Sequence, residues 1–378
     1  MKTNNNNNTV VLINQSTGYL MTGIVNAYCE KYDNVVLLAG EVRGFDPPIN
    51  SKVKVVKIAK YNTESFYSRA LSWIKATIKL FFILLFKYRN AFVVYVTNPP
   101  TSYFCSLLLK NRFAVVEYDI YPEGLLTIGM KPSNIIYKLW SSINRKVLPK
   151  AEVVFTLSTG MADTMKQYVD PNKVKVIPNW GSSSISKVNR RDNIFIKENN
   201  LDGKFVVLFT GNIGYDHHVE VLLDVAYRLR ANSKIQFVII GYGPKRDELV
   251  ETAKTMNLSN CCFLDWQPID KVKYSLSSAN LSVITLSDNS ALACVPSRTY
   301  NYLSVGSPLL CIGPNNSEVA KLIEQEQCGM SYERTEIENI SAFIECLAND
   351  KLLQSQLSNN ALVASTHYTS QNAKRYVI

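Results

Sequence analysis

Histidine is scarce in this chain of 378 residues, and the scarcity limits the chemistry that its first half could perform. Only three histidines occur, His217, His218 and His367, so no histidine base is available before residue 217. The eight cysteines include no C-x-x-C pair, which removes the usual signature of a zinc ribbon or a thiol redox site. We therefore expect reduced, buried thiols in a cytoplasmic protein.

The chain also lacks the apolar segments that membrane spanning and secretion require. In the segment 65–90 the longest uninterrupted apolar run is 80–86, well short of the ~20 residues of a spanning helix. The start, MKTNNNNNTVVLINQ, is a polar tract with no apolar core or cleavage site after it, so we expect no secretion. Neither a spanning helix nor a signal peptide is predicted.

The composition nevertheless suits a large folded protein. Hydrophobic residues make up 47% and charged residues 19%, which excludes global disorder, and the length favours two domains. The net charge of +10 suits an anionic substrate, an anionic membrane surface or nucleic acid. No nucleic-acid-binding module is recognisable, so nucleic acid is not an expected partner.

Apolar runs of strand length alternate with helical patterns, and the alternation begins twice. They fall at 10–14, 34–38, 53–58, 92–97, 113–117, 153–157 and 174–178, and then at 205–210, 236–240, 261–264, 281–285 and 309–312. Such runs are typical of parallel strands buried on both faces. We predict an α/β protein of two Rossmann-like, doubly wound parallel-sheet domains facing a central cleft. The expected domains are 1–183 and 184–362, with a helix at 363–378 returning to the first.

The segment 65–90 interrupts this alternation. On a helix, one side would carry basic and small polar side chains, namely Arg69, Ser72, Lys75 and Lys79, and Lys87 and Arg89 close the segment. Aromatic and aliphatic side chains would lie elsewhere, so the helix could rest in the interface of an anionic membrane. The alternative is a core helix with a solvated basic stripe.

One short motif, TGNIGYDHHVEVLL, joins an apolar strand to a helix. A glycine turn with Gly211 and Gly214 before a helix is a natural anion site, because free backbone N–H groups favour negative charge. A metal at His217 and His218 is disfavoured, since adjacent helical residues point ~100° apart. No metal site is expected.

Three similar junctions follow in the same half. They are Gly241 and Gly243 in FVIIGYGPKRDELVE, Trp266 after FLD, and Pro296, Ser297 and Arg298 in ACVPSRTYNYL. Ser297 could cap a helix there, and an arginine in its first turn would clamp a phosphate. Their order and spacing carry more information than any one of them.

Taken together, FTGNIGYDHHVEVLLDVA, IGYGPKRDEL, FLDWQPIDKVKYSL and VPSRTYNYLSVGSPLL resemble the C-terminal domain of GT4-family glycosyltransferases of GT-B fold. The stretches VVEYDIYPEGLLTIG and VKVIPNW are similar to the first domain of bacterial O-antigen, capsule and colanic-acid enzymes of that family. The resemblance implies retaining sugar transfer from a nucleotide-sugar without a required metal. The donor-binding residues it implies are Gly211, Asn212, Gly214, His217, Gly241, Gly243, Trp266, Pro296, Ser297, Tyr300 and Asn301.

Several charged positions of the family are altered here. Asn212 stands where the family has arginine, and His217 where it often has lysine, although His217 could become cationic beside a phosphate. The two glutamates of the family's E-x7-E motif would fall on Ala293 and Asn301. Arg298 is therefore the expected catalytic cation that neutralises the leaving diphosphate.

The first domain offers carboxylates at the end of a predicted strand. Asp119 in EYDIYPE is the candidate catalytic base or acceptor-orienting group, and a loop or helix-capping role is the alternative. Glu123 and Gly18 are expected on the acceptor side, and Glu117 is a weaker candidate. In place of the family's glycine-rich first loop the chain has only NQSTGYLMTG.

The resemblance implies a hexosyl- or N-acetylaminosugar transferase, and we expect it to use a UDP-sugar in preference to a GDP-sugar. The acceptor would be a lipid-linked glycan, such as one on undecaprenyl diphosphate, used in surface polysaccharide synthesis. The enzyme would be cytoplasmic and peripheral on the inner face of the cell membrane. Because the E-x7-E carboxylates are missing, a catalytically weakened paralogue that scaffolds a membrane assembly is the alternative.

Overall fold

The protein divides into two compact units. The computed structural model describes residues 8–43, 47–62, 65–214, 217–288 and 295–378. Unit 1 comprises residues 1–179 and 370–378, and unit 2 comprises residues 180–369. The division therefore falls four and seven residues from the expected boundaries at 183 and 362.

Unit 1 is built on a parallel sheet. The strands of the unit are β1 Thr9–Ile13, β2 Ser16–Thr17, β3 Asn34–Ala39, β4 Glu41–Val42, β5 Lys54–Lys57, β6 Phe92–Val96, β7 Phe113–Val116, β8 Val154–Thr156 and β9 Val174–Val176. The main sheet has the order β5-β3-β1-β6-β7-β8-β9, and β2 pairs with β4 beside it. Strands β1, β6 and β7 are buried along their whole length, as their continuous apolar runs predicted.

Helices and 3-10 turns cover this sheet. The helices of unit 1 are α1 Tyr19–Tyr28, α2 Phe66–Lys87, α3 Ile135–Val147 and α4 Thr159–Met165. The 3-10 turns are Ser102–Leu107, Glu123–Ile128, Leu148–Lys150, Pro171–Lys173 and Ser370–Tyr376. The last of these lies where a terminal helix was expected at 363–378, and a helix of unit 2 that spans Lys351–Ser365 occupies part of that range instead.

Unit 2 repeats the architecture with a second parallel sheet. Its strands are β10 Phe205–Thr210, β11 Ile235–Ile240, β12 Cys261–Leu264, β13 Leu281–Thr285, β14 Leu309–Ile312 and β15 Gly329–Tyr332, in the order β12-β11-β10-β13-β14-β15. Val207 and Phe209 of β10 belong to one apolar cluster, and Val206 and Leu208 to another. Both faces of the sheet are therefore covered, which confirms a Rossmann-like, doubly wound unit.

The helices of unit 2 connect these strands. They are α5 Ile194–Glu198, α6 Val221–Arg228, α7 Arg246–Thr255, α8 Val272–Ser277, α9 Arg298–Ser304, α10 Glu318–Glu326, α11 Ile337–Asn349 and α12 Lys351–Ser365, and a 3-10 turn spans Arg190–Asp192. The helices α6 and α7 follow β10 and β11 directly. Each glycine turn predicted from the sequence therefore lies between a buried strand and a helix.

Helix α2 begins at a capping box. Ser65 Oγ accepts the backbone N–H of Ser68 at 3.1 Å, and Ser68 Oγ accepts the N–H of Ser65 at 2.9 Å. These two hydrogen bonds satisfy groups that the first turn would otherwise leave open. Nowhere in the described ranges is a helix both long and apolar enough to cross a membrane.

The rotation of α2 differs from the predicted one. Ser72 is buried, and Arg69 is half-buried with its Nε enclosed, so neither belongs to an outward basic side as expected. The exposed residues from position 71 onward, which we call the α2 outer face, are Leu71, Ile74, Lys75, Ile78, Lys79, Phe82, Leu85, Phe86 and Lys87. The reason is packing: Trp73, Ala76 and Leu80 lie at helical spacing and turn toward the core.

A buried hydrogen bond holds the last residues of the chain in unit 1. Tyr28 Oη in α1 donates to the backbone carbonyl of Tyr376 at 2.6 Å, and both side chains are fully buried. The Tyr376 ring packs 4.9 Å from that of Phe155. The segment 370–378 is therefore part of the core of this unit.

Replacing Tyr28 with Phe should destabilise unit 1. The change leaves the Tyr376 carbonyl without its donor, which should lower the free energy of unfolding by about 1–2 kcal/mol. Urea unfolding followed by circular dichroism measures the change. Tyr32→Phe is the control, because Tyr32 donates to Ile378 from a less buried position. An equal, negligible effect of both substitutions would contradict the anchoring role.

Candidate functional site

Two glycine turns lie side by side at the carboxyl edge of the unit 2 sheet. Thr210, the last residue of β10, pairs with Ile240, the last residue of β11. Beyond them the Gly211 N–H donates to the Ile240 carbonyl at 3.0 Å, and the Ile213 N–H donates to the Tyr242 carbonyl at 3.0 Å. The carboxyl ends of parallel strands are where such sheets bind ligands.

Only glycine fits at the closest points of these turns. Gly241 has φ +145°, and a β-carbon there would come within 1.9 Å of the Gly211 carbonyl oxygen. A β-carbon on Gly243 would come within 2.4 Å of the Ile213 carbonyl oxygen. The two turns therefore touch backbone to backbone.

Arg298 lies directly on the first of these turns. Its Nη1 donates to the Thr210 carbonyl at 2.9 Å, and its guanidinium carbon lies 4.9 Å from the centre of the Phe209 ring. A β-carbon on Gly211 would overlap Nη1 at 1.6 Å, so glycine is required there for the arginine to approach. The structure thus brings together Arg298 and Gly211, which are 87 residues apart in sequence.

Tyr302, one turn after Arg298 on α9, completes this contact. Its hydroxyl accepts the Thr210 N–H at 3.0 Å and lies 2.9 Å from Thr210 Oγ1. Burial raises the pKa of Tyr302, and the neighbouring Arg298 cation works against that rise. Tyr302 is a supporting residue that the motif comparison did not identify.

The arrangement has the features of an anion site. Within the described residues, the backbone N–H groups of Asn212 and Gly214 donate to no protein acceptor. Open N–H groups beside a guanidinium form a concavity that favours phosphate oxygens. The structure therefore brings the turn that contains Gly211, Asn212 and Gly214 into contact with Arg298.

The two neighbouring histidines occupy different positions. The N–H of His217 donates to the Gly214 carbonyl at 3.2 Å, so its backbone closes the glycine turn. His218 has φ +46°, and its Nδ1 lies 3.2 Å from Glu220 Oε1. The His217 ring lies beside the turn, since a β-carbon on Gly214 would come within 3.1 Å of His217 Nδ1, whereas the His218 ring contacts Glu220.

Lys245 is a cation that sequence reasoning missed. Its N–H donates to the Ile213 carbonyl at 3.1 Å, and its largely buried Nζ donates to Glu220 Oε2 at 2.9 Å. Burial alone would raise the pKa of Glu220, but the hydrogen bonds from Lys245 and His218 lower it overall. The signal was available in G-Y-G-P-K, where the lysine directly follows the second glycine turn.

The remaining predicted donor residues do not all reach the surface. Trp266 is exposed beyond the end of β12, and Pro296 is half-buried. Ser297 precedes α9 but has helical backbone angles and makes no capping hydrogen bond, so the predicted cap is wrong. Tyr300 is buried and packs against Tyr368 at 5.0 Å, which makes it a core residue instead of a surface for a donor.

Of the two positions that correspond to the E-x7-E motif, the structure describes only Asn301. Asn301 Oδ1 accepts the Ser182 N–H at 2.9 Å, so its oxygen is already used to hold the segment that opens unit 2. One lone pair of the Asn301 oxygen is therefore engaged within unit 2, and an amide oxygen has a second one for another donor. Ala293 lies outside the described residues.

In unit 1, Asp119 follows the carboxyl end of β7. Its side chain is exposed to solvent, and its N–H donates to Thr97 Oγ1 at 3.3 Å. Loss of part of its hydration raises the pKa of the Asp119 carboxyl, and the cation of Arg69 opposes that rise. Because the side chain reaches solvent, the shift describes its basicity and not a contribution to folding stability.

The other first-unit candidates serve the fold. Glu123 Oε1 accepts hydrogen bonds from Gln167 Nε2 at 3.0 Å and Tyr168 Oη at 2.5 Å, which ties down the carboxylate expected to meet an acceptor. Glu117 is buried, and burial holds the pKa of its carboxyl well above the usual range. Gly18 precedes α1, and its carbonyl accepts the Thr22 N–H at 2.9 Å.

No group of three or more histidine, cysteine or acidic side chains gathers at metal-binding distance in the ranges the structure describes. Two Rossmann-like units, one of them with a cation and open backbone N–H groups at paired glycine turns, are typical of proteins that bind nucleotides.

Comparison with known proteins identifies the family. Residues 190–363 match the profile described as "Glycosyl transferases group 1". WbjE of Pseudomonas aeruginosa, named as a probable glycosyltransferase, is 25% identical over 325 residues, which cover 83% of this chain and 81% of that protein. WcaI of Escherichia coli strain K12, whose name assigns it to colanic acid biosynthesis, is 26% identical over 205 residues, which cover 53% and 50%.

Solved structures show the same fold across the whole chain. Anabaena HepE in complex with UDP-glucose superposes with a TM-score of 0.74 at 14% identity and covers 97% of both chains. WaaG, a glycosyltransferase involved in lipopolysaccharide biosynthesis, has a TM-score of 0.71 at 13% identity, with 97% and 98% covered. The protein is a glycosyltransferase of GT-B fold, and its second unit matches the group 1 profile, which confirms the resemblance seen in the motifs.

A matched pair of histidine variants tests the different placement of His217 and His218. His217→Ala should weaken UDP binding roughly tenfold, because a hydrogen bond from the imidazole to the diphosphate would be lost. His218→Asn should leave it unchanged, since asparagine tolerates the positive φ and His218 contacts Glu220. Isothermal titration of UDP measures both. An unchanged UDP affinity of His217→Ala would indicate that the imidazole of His217 does not bind the nucleotide and that this segment is only a structural turn.

Proposed function

We propose that the protein transfers a sugar from a UDP-sugar, in preference to a GDP-sugar, to a lipid-linked glycan during surface polysaccharide synthesis. Transfer would retain the anomeric configuration and require no metal ion. The contact of Arg298 with Gly211 carries this proposal, because it places a fixed cation on the turn between β10 and α6. The acceptor glycan would be carried on a polyprenyl lipid such as undecaprenyl diphosphate.

The donor diphosphate is assigned to the paired glycine turns. As the acceptor oxygen bonds to the anomeric carbon, the bond from that carbon to the diphosphate breaks, and negative charge grows on the nucleoside diphosphate. Arg298 and the open N–H groups of Asn212 and Gly214 are positioned to stabilise that charge. Since Arg298 is already held by Thr210 and Phe209, little reorganisation is needed.

The choice of UDP and of polysaccharide synthesis rests on similar proteins. Anabaena HepE is solved in complex with UDP and with UDP-glucose. WcaI is named for colanic acid biosynthesis, and WaaG is involved in lipopolysaccharide biosynthesis. These support a uridine nucleotide as donor and a growing surface glycan as product.

Asp119 is the group we assign to the acceptor hydroxyl. It is exposed after β7, and its raised pKa makes it a stronger base than an ordinary surface aspartate. It would accept the hydroxyl proton of the acceptor or orient that hydroxyl as the new glycosidic bond forms. Glu117 is buried and out of reach of an acceptor, and burial holds the pKa of its carboxyl well above the usual range.

The α2 outer face supports a peripheral position on an anionic membrane. Its exposed apolar side chains recur along the helix, and lysines lie among them at positions 75, 79 and 87. Apolar side chains that enter the interface and lysines that meet anionic headgroups are the two requirements for such binding. A lipid-linked acceptor would be encountered at that surface.

Removal of the Arg298 cation should abolish efficient transfer. Arg298→Ala should lower kcat/KM with the best UDP-sugar roughly a hundred- to a thousandfold, by loss of charge stabilisation in the transition state. Product formation on a lipid-linked acceptor is followed by chromatography, with and without EDTA, and proton NMR of the product gives the anomeric configuration. EDTA should have no effect.

The control is Arg228→Ala, which removes an exposed arginine paired with Glu338 on the same unit. It should retain full activity. Absence of turnover with every UDP- and GDP-sugar would overturn the transferase proposal and favour a binding role at the membrane.

Removing the lysines of the α2 outer face should release the protein from anionic vesicles. A Lys75→Ser, Lys79→Ser, Lys87→Ser triple variant loses about 1 kcal/mol per lysine, or roughly a hundredfold in partitioning at constant salt. Sedimentation with vesicles containing phosphatidylglycerol measures this. A Lys52→Ser, Lys54→Ser, Lys57→Ser triple variant is the matched control, because it removes the same charge from exposed lysines of unit 1 that lie outside α2. Equal sedimentation of the triple variant and the wild type would contradict the membrane assignment.

A further inference from the structure

Arg69 is a half-buried cation that the proposed chemistry has not used. Its Nε is buried, and no hydrogen bond from its guanidinium to the described protein exists. Among the described residues no carboxylate lies within 4.0 Å of it, so it has no ion pair either. A partly buried charge without a partner is costly, and such positions are retained where a ligand supplies the missing group.

The fold places Arg69 beside Asp119. Arg69 and Trp73 are four residues apart on α2 and therefore share a helix face. The Trp73 ring lies 5.6 Å edge-on to that of Tyr121, which follows Asp119 by two residues and stacks on Trp140 at 5.4 Å. This geometry brings the guanidinium, the carboxylate and an aromatic wall to one region of unit 1.

Electrostatics agree with that placement. Burial raises the pKa values of Tyr61, Tyr121 and Asp119, and the cation of Arg69 works against the rise in all three. Arg69 therefore lies close enough to interact electrostatically with all three groups, although it forms no ion pair with them. Its positive field extends over the exposed carboxyl of Asp119.

A second unsatisfied polar atom belongs to the same neighbourhood. Gln15, just after β1, donates through Nε2 to the carbonyls of Ala59 at 3.0 Å and Ser72 at 3.1 Å. Ser72 in turn donates to the Arg69 carbonyl at 2.7 Å. Gln15 Oε1 is buried without a hydrogen-bond partner. The region therefore lacks both an acceptor for a guanidinium and a donor for an amide oxygen.

We propose that Arg69 is the anion-binding residue of an acceptor subsite in unit 1, and that the acceptor carries a phosphate or carboxylate close to its reacting hydroxyl. The anion pairs with the guanidinium, Asp119 engages the hydroxyl, and the aromatic wall of Tyr121 borders the sugar ring. The proposal rests on the proposed transferase function and names the class of acceptor: an anionic, hydroxylated glycan or glycolipid.

An anion is favoured over a neutral sugar for a physical reason. Neutral hydroxyls are satisfied equally well by amide and hydroxyl side chains, whereas a guanidinium gains most from a phosphate or carboxylate that it meets through two parallel hydrogen bonds. Such an anion would also compensate the positive charge that Asp119 leaves unpaired. The nearby carboxylate would then be less stabilised by Arg69 and more basic toward the acceptor hydroxyl.

Binding of three simple probes tests the subsite apart from turnover. They are decyl diphosphate for a lipid diphosphate, methyl glucuronide for an acidic sugar and methyl glucoside as the neutral match. Saturating UDP fills the nucleotide site of unit 2, and titration calorimetry gives each dissociation constant. At least one anionic probe should bind more tightly than methyl glucoside, and the tighter of the two identifies the source of the anion.

Variants assign that preference to Arg69. Arg69→Ala should weaken the preferred anionic probe roughly ten- to a hundredfold and leave methyl glucoside unchanged. Arg69→Lys should keep part of the preference, which loss of packing alone would not explain. Arg89→Ala, an exposed arginine just beyond α2, should behave as the wild type. UDP affinity and thermal unfolding verify that each variant is folded.

The outcomes separate this proposal from the transferase proposal. If neither anionic probe binds better than methyl glucoside, or if Arg69→Ala binds all three like the wild type, the anion subsite is refuted, whether or not sugar transfer is observed. If Arg69-dependent binding is found but no UDP- or GDP-sugar turns over, the subsite stands and the transferase proposal falls.

Discussion

Gly241 lies so close to the carbonyl of Gly211 that a β-carbon would come within 1.9 Å of the oxygen. That approach allows the turns after β10 and β11 to touch, and Gly211 in turn leaves the space that the Arg298 guanidinium occupies. The arginine is then held by a hydrogen bond to the Thr210 carbonyl and by contact with the Phe209 ring. The cation, the open N–H groups and the closeness of the two turns all depend on missing side chains at these positions.

The distribution of charge at this edge departs from the one that the sequence resemblance implies. Asn212 and His217 replace the cations that the resemblance leads one to expect, and Asn301 uses its oxygen on Ser182. Arg298 stays in place, and Lys245 supplies a further cation beside the turns, held by Glu220. In this chain Arg298 and Lys245 therefore carry positive charge beside the glycine turns.

Helix α2 serves two surfaces because its sides differ. Trp73, Ala76 and Leu80 bury one side in unit 1, and the α2 outer face presents apolar side chains and lysines to solvent. Arg69 belongs to neither, since it is half-buried toward the region of Asp119. A helix wheel alone groups Arg69 with the exposed lysines, because angular spacing does not specify which arc the sheet will cover.

Local sequence determined the parallel strands and the glycine junctions of this protein. Runs such as 205–210 and 281–285 coincide with β10 and β13, because uninterrupted apolar residues form strands buried on both faces. The edge strand β15, with the sequence GMSY, has no such run and was not predicted. Only tertiary structure decided the burial of Tyr300, the use of Asn301 by Ser182, and the placement of Lys245 and Arg69. Each of these depends on contacts between segments distant in sequence, and the spacing of residues within one segment does not encode them.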